Sequence, residues 1–214
     1  MKFTIASALA LASSASAAAL GSHRAPRKGR QTHTGHHSQP MIKSQGPAGI
    51  VTNNSEVSYS TNWAGAVLTG TKYTVVTGSF TVPTASTTGS GSAWVGIDGD
   101  SCETAILQKG IDWTKSGSSI TYDAWYEWYP DYSYNYVHDI EIAAGDTITV
   151  TVEATRKSAG TSTITNESTG LTVVHTFTSS AVEADLCEYD AEWIVEDFES
   201  ESSLVTFKST KNPP

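Results

Sequence analysis

Two cysteines in 214 residues are too few for a disulfide-dense scaffold or a four-cysteine zinc site. Basic charge is scarce: 13 Lys and Arg stand against 22 Asp and Glu, a net charge of -9. That sign disfavours nucleic acid as a partner. No segment carries a 3.6-residue apolar stripe, so long amphipathic helices are not expected. The one long apolar run lies at the extreme N-terminus and is too short to span a bilayer. Charged residues are only 16% of the chain and hydrophobic ones 38%, which excludes a highly charged disordered protein. Familiar catalytic signatures are also missing. There is no G-x-S-x-G elbow and no H-E-x-x-H zinc pair, and no Asp-Thr-Gly or Asp-Ser-Gly triplet of a two-aspartate protease. Asp98-Gly-Asp100 lacks the rest of a calcium loop. Only His138 and His175 occur beyond residue 55, so a Ser-His-Asp triad has no local support. What remains for chemistry is carboxylates, amides and aromatics.

Charge divides the chain in two. Residues 1–55 contain six bases (Lys2, Arg24, Arg27, Lys28, Arg30, Lys43) and no acid, whereas residues 56–214 contain all 22 acids and seven bases, a net of −15. The basic part opens with a secretory signal over 1–19: Lys2, the apolar run Phe3 to Leu11, then small residues with Ala15-x-Ala17 and Ala17-x-Ala19 as cleavage sites. Secretion into an extracellular, oxidising compartment follows. Residues 20–55 are rich in Gly, Ser, His, Pro and basic residues without a hydrophobic period, which reads as a propeptide or a disordered segment. Its cluster His33, His36, His37 has nothing to fix metal geometry, so no metal is expected. A cationic segment beside an acidic domain would be held by charge and loosened when acid protonates the carboxylates.

From residue 57 the pattern is period two with frequent turns. Tyr73 to Val82 stops at Pro83, and Tyr122 to Tyr129 stops at Pro130. Ala93 to Asp98 and Thr104 to Gln108 flank a turn at Gly99-Asp100-Ser101. Thr147 to Glu153, Thr161 to Asn166, Leu171 to Thr178 and Glu192 to Phe198 are further strands. Short, closely spaced strands with Gly, Ser and Thr turns predict an all-β protein over 56–214, an antiparallel two-sheet sandwich. Cys102 and Cys187 read as a disulfide rather than a metal site. Asn53 and Asn166 open glycosylation acceptor patterns, which are common by chance.

Alternation puts Asp123, Trp125, Glu127 and Tyr129 on one face and Tyr122, Ala124, Tyr126 and Trp128 on the other. Carboxylates alternating with aromatics suit a groove for an extended polymer, peptide or sugar. They equally suit a half-buried face with satisfied polar groups. Glu196 shares its face with Glu192, Ile194 and Phe198. Apolar neighbours disfavour its ionised form, which makes it a candidate base, though an edge-strand carboxylate is the plainer reading. Gln108, placed at the end of its strand, is on its own only a polar residue.

Five segments in order give these residues a context: Thr61-Asn-Trp-Ala-Gly-Ala66, Ala93-Trp-Val-Gly-Ile-Asp-Gly99, Thr104-Ala-Ile-Leu-Gln-Lys-Gly110, Tyr122-Asp-Ala-Trp-Tyr-Glu-Trp-Tyr-Pro130 and Ala191-Glu-Trp-Ile-Val-Glu-Asp-Phe-Glu199. In these the chain resembles the fungal glutamic peptidases, the eqolisin family. The resemblance implies a secreted endopeptidase active in acid, on a jelly-roll or concanavalin-like sandwich of two seven-stranded sheets; a monomer without cofactor is expected. It puts the catalytic pair on Gln108 and Glu196. It puts Trp94, Asp98, Asp123, Trp125, Glu127 and Tyr129 at positions that line or support the cleft, and the disulfide on Cys102 and Cys187. The basic N-terminal part corresponds to the family's propeptide, a candidate inhibitor. The family's chain continues past the strand of the catalytic Glu, so the resemblance also implies a domain shortened at its C-terminus.

Two other readings use the same residues. A glycoside hydrolase would pair Glu127 with Glu196 and use the indoles and phenols as sugar platforms. A carbohydrate-binding sandwich would use the groove without catalysis.

Overall fold

Alternation along each strand decides which side chains meet between the sheets. A computed structural model describes residues 32–33, 36–46, 56–136, 139–200 and 203–204. The leader at 1–19, most of the basic segment and Asn53 lie outside the described residues. Two short strands come first, β1 (Thr32–His33) and β2 (His36–His37). The long strands β3 (Trp63–Thr69), β4 (Val75–Thr81), β5 (Gly89–Ile97), β6 (Ile106–Ser116) and β7 (Ser119–Tyr129) follow. After the short β8 (Tyr134–Asn135) come β9 (Thr147–Arg156), β10 (Ala159–Asn166), β11 (Leu171–Phe177) and β12 (Asp190–Glu196). Two-residue strands β13 (Glu199–Ser200) and β14 (Ser203–Leu204) close the described chain.

Every strand pairing is antiparallel, and the strands form two packed sheets, as the period-two pattern predicts. One sheet runs β1-β8-β7-β6-β5-β12-β3 and the other β11-β10-β9-β4, with a small third sheet β14-β13-β2. The resemblance implies seven strands in each large sheet; among the described residues the second has four.

The four-stranded sheet buries one face only. Ile148, Val150 and Val152 of β9, Ile164 of β10 and Val76 and Phe80 of β4 point inward, and their neighbours face solvent, the usual pattern for an antiparallel sheet with one wet side. They pack on Val95, Ile97, Leu107, Ile111, Ala124, Tyr126, Trp128 and Trp193 of the larger sheet. The larger sheet is different, because the middles of β5, β6, β7 and β12 are buried on both faces. Its second face carries a separate cluster of Trp63, Trp94, Ile106, Trp125 and Ile194.

Strict alternation also sends a charge inward. Lys109 follows Gln108 and so faces the core, fully buried, with Nζ 3.8 Å from the centroid of the Tyr136 ring. Burial pushes its amine well below the usual lysine range, since an ammonium there would lose its hydration.

Strands proved longer than the residue pattern suggested at the β5–β6–β7 meander. Gln108 is the third residue of an eleven-residue strand rather than its end. Asp98 lies just past β5 with φ 70°. The disulfide Cys102–Cys187 forms, with Cα atoms 6.1 Å apart. Asn166 is fully buried. Its Nδ2 donates to the Glu141 carbonyl and to Asp146 at 3.0 and 2.8 Å, while its Oδ1 accepts the Ser168 and Thr169 N–H groups. A side chain so engaged cannot carry a glycan, which corrects the acceptor reading at this position.

Candidate active site

The site is the outer face of the seven-stranded sheet, and the strand register builds it row by row. Gln108 lies opposite Glu127 on one side and Gly96 on the other, and Gly96 opposite Glu192. The next row on this face is Trp125, Gly110, Trp94 and Ile194. The third is Asp123, Asp112, Ser92 and Glu196, with Trp63 beyond Glu196 on β3. The faces inferred for Asp123 to Tyr129 and for Glu192 to Glu196 are therefore the cleft faces.

Two glycines let the indoles lie flat on this floor. A Cβ at Gly110 would stand 2.6 Å from Trp94 Cβ and 2.9 Å from Trp125 Cζ2, and one at Gly96 would stand 2.8 Å from Trp94 Cζ3. Real side chains do not approach so closely, so only glycine leaves room for both tryptophans. Lying across the rows, Trp94 reaches Glu196 and donates its Nε1–H to Oε2 at 2.8 Å. Trp63 stands edge-on to Trp94, ring centroids 5.0 Å apart.

Gln108, Glu127 and Glu196 are all fully buried. Burial pushes the Glu127 carboxyl well above the ordinary carboxylate range. The negative charge of Glu196, and more weakly that of Asp112, pushes it further, with Ser38 acting in the opposite sense. A second anion on this dry floor is disfavoured. The Gln108 amide has no hydrogen-bond partner for Nε2 or Oε1 among the described residues. Leaving a buried amide so costs about 1–3 kcal/mol per group, and such groups tend to mark function.

The floor is covered by the chain's own residues 37–43. His37 stacks at a tilt against Tyr129 and Tyr132, centroids 5.5 and 4.9 Å away, and its Nδ1 is 3.6 Å from Glu127 Oε1. Ser38, fully buried, lies beside Glu127. The Gln39 N–H donates to Glu196 Oε1 at 3.1 Å. Met41 packs on the tryptophan cluster, and its N–H donates to the Gly99 carbonyl. Lys43 Nζ lies 3.1 Å from Asp100. Adjacent residues of this segment thus touch Glu127 and Glu196.

Of the residues inferred from sequence, Gln108, Glu196, Trp94, Trp125 and Glu127 share the floor, with Gln108 and Glu196 two rows apart. Asp123 lies exposed at its edge, opposite Asp112, and Tyr129 at its end. Asp98 is not in the cleft. Its buried carboxylate accepts four N–H groups, from Cys187, Glu188, Tyr189 and Asp190, at 2.7–3.3 Å. It holds the turn that the disulfide also ties, and so supports β12 from behind. Three residues were missed. Asp112 and Glu192 share the cleft face by the same alternation that found Gln108 and Glu196. Asn62, one residue before Trp63, carries no signal apart from its place in the Thr61 to Ala66 segment. Glu192 is also fully buried. Burial, with the charges of Asp190, Asp98 and Asp100, holds its carboxyl well above the ordinary range.

Similarity to known proteins bears on this arrangement. The Peptidase A4 family profile matches residues 61–210. Aspergillopepsin-2 of Aspergillus niger is 49% identical over 232 aligned positions, covering 97% of this chain and 82% of that protein. Scytalidopepsin B of Scytalidium lignicola is 45% identical over 149, covering 69% of this chain and 55% of that protein. Among solved structures, scytalido-glutamic peptidase with a transition state analog inhibitor superposes with a TM-score of 0.63 at 42% identity, covering 71% of this chain and 75% of that one. Aspergilloglutamic peptidase from Aspergillus niger does so at 0.53 and 61%, covering 56% and 69%.

Proposed function

The chain belongs to the Peptidase A4 family and is by that kinship a glutamic endopeptidase; from this premise we propose that it is secreted, works in acid and cleaves peptide bonds with Gln108 and Glu196. The observation that carries the reading is the buried, unpartnered Gln108 amide on one floor with the Trp94-bound Glu196.

In the proposed reaction Glu196, ionised, takes a proton from a water that attacks the peptide carbonyl. Gln108 orients that water and donates its amide N–H to the oxygen on which charge develops. Glu196, now protonated, gives its proton to the departing amine. The carbonyl becomes a carboxyl, the C–N bond breaks, and Glu196 returns to its ionised form. An amide does not titrate, so Gln108 keeps its donor at any pH. Trp94 stabilises the charged form of Glu196 through its N–H. Glu127, held neutral by burial, leaves Glu196 as the charged member of the pair. This arrangement suits acid, where Glu127 stays neutral and the acidic body carries less charge.

Residues 37–43 then act as a built-in inhibitor within a propeptide. They engage the site through the Gln39 N–H, which donates to Glu196, and Gln108 takes no carbonyl from them. Such a pose ties up the base without presenting a bond to be cut. The family kinship removes the motive for the two carbohydrate readings.

The test is digestion of a denatured protein by the full-length chain at acid pH, with and without a statine-type aspartic-protease inhibitor. Cleavage that the inhibitor does not slow is expected. Absence of cleavage across the acid range, or its full suppression by the inhibitor, would refute the reading.

A further inference from the structure

We propose that Asn62 is the clamp that holds the main chain of a bound peptide beside Glu196, an inference that rests on the peptidase reading above. Its position is fixed by the sheet. Asn62 precedes Trp63, the cross-strand partner of Glu196, and its carbonyl accepts the Asp197 N–H at 2.8 Å. The amide end is thereby anchored next to the base.

Its orientation is fixed as well. Ser60 Oγ accepts the N–H groups of Asn62 and Trp63, at 3.3 and 3.1 Å, so its own proton goes to Asn62 Oδ1 at 2.8 Å. The network thus identifies the oxygen end of the amide. Oδ1 also accepts the Ile42 N–H at 2.9 Å, and Nδ2 donates to the Gln39 and Pro40 carbonyls at 3.4 and 3.2 Å. All three partners in the covering segment are main-chain groups. A grip of this kind reads a peptide without reading its sequence.

Gln39 links the clamp to the chemistry. Its N–H meets Glu196 and its C=O meets Asn62. A peptide residue lying against the base therefore lies within reach of the clamp. Asn62 is nearly fully buried, so its amide bonds must be met by whatever main chain occupies this end of the cleft. Holding the peptide here serves positioning, and side-chain preference is left to other walls of the cleft.

The experiment uses full-length protein with Ser38→Trp, because an indole cannot occupy the fully buried place of Ser38 and the segment is displaced. Hydrogen exchange at the Gln39 and Ile42 amides verifies the displacement. In that background Asn62→Ala and Asn62→Asp are compared with the parent on one peptide substrate at about pH 5, where an aspartate is ionised. Asn62→Asp keeps the Ser60 contact, and with it the turn, but loses both Nδ2 donations. KM should rise roughly tenfold in each, with kcat falling by less. Hydrolysis with an unchanged KM, or a fall in kcat alone, would overturn the clamp and leave the activity standing. Absence of hydrolysis in the native chain and in the Ser38→Trp parent would refute the activity, and the clamp with it.

Discussion

Replacing Glu127 by glutamine isolates the electrostatic claim on which the cleft depends. The ordinary value for a glutamate is 4.5, and burial with the nearby charges of Glu196 and Asp112 raises Glu127 well above it. Below the ordinary value the carboxyl is protonated in the folded and unfolded chains alike. Above it the unfolded chain ionises and the folded one does not, so stability falls as pH rises. The slope is about 1.4 kcal/mol per pH unit for one group, and the loss levels off once pH passes the folded value. Glutamine ionises in neither state and lacks this loss. Other buried groups act in the parent too. His175 is lowered to about 4 by burial and by Lys109, and so costs stability as pH falls. Lys109 itself is lowered. Subtracting the Glu127→Gln curve from the parent cancels both. The assay is urea unfolding of the two proteins from about pH 4 to about pH 7. The variant should gain on the parent as pH rises, by about 1.4 kcal/mol per unit over the interval where the folded group stays neutral. Parallel curves, or a variant that gains as pH falls, would show that Glu127 is not held neutral.

Three further outcomes follow from particular contacts. Trp94→Phe keeps the ring on its glycine floor and removes the 2.8 Å N–H to Glu196; a bond to a charged group is worth about 1.5–3 kcal/mol, so kcat/KM should fall by roughly one to two orders of magnitude. The pair Cys102→Ser, Cys187→Ser opens a loop with a sequence separation of 85, and urea unfolding should show a loss of about 4 kcal/mol. Mass spectrometry of protein secreted by a glycosylating host should find Asn166 bare, and Asn166→Ala should cost about 2 kcal/mol or more in unfolding.

The β7 and β12 faces of the cleft were legible because they follow from period two alone, whereas Gln108 and Trp94 came from the resemblance. Once β7 is a strand, Asp123, Trp125, Glu127 and Tyr129 share a face, and once β12 is one, Glu192, Ile194 and Glu196 do. The same rule would have placed Asp112 on the face of Gln108, two rows along. Asp98 lies outside the reach of alternation, because its φ of 70° takes it out of the strand, and only the resemblance put it at a position that lines or supports the cleft. Lys109 was hidden by its charge, since burying an amine runs against ordinary partition. Here the strand forces it inward onto Tyr136. Asn166 shows the reverse error, because a three-residue acceptor pattern carries no information about burial. Residues 37–43 were beyond the pattern altogether. They are held largely by main-chain groups and single contacts, and such pairing leaves little trace in side-chain composition.

The account rests on one amide and one carboxylate acting on the same bond. Its most direct test is the turnover of a peptide substrate by Gln108→Ala and Glu196→Ala in the full-length chain, with unfolding curves as controls. Gln108→Ala should lose at least about a hundredfold in kcat and Glu196→Ala should show no cleavage, while both unfold as folded proteins do. Full turnover by either variant would contradict it.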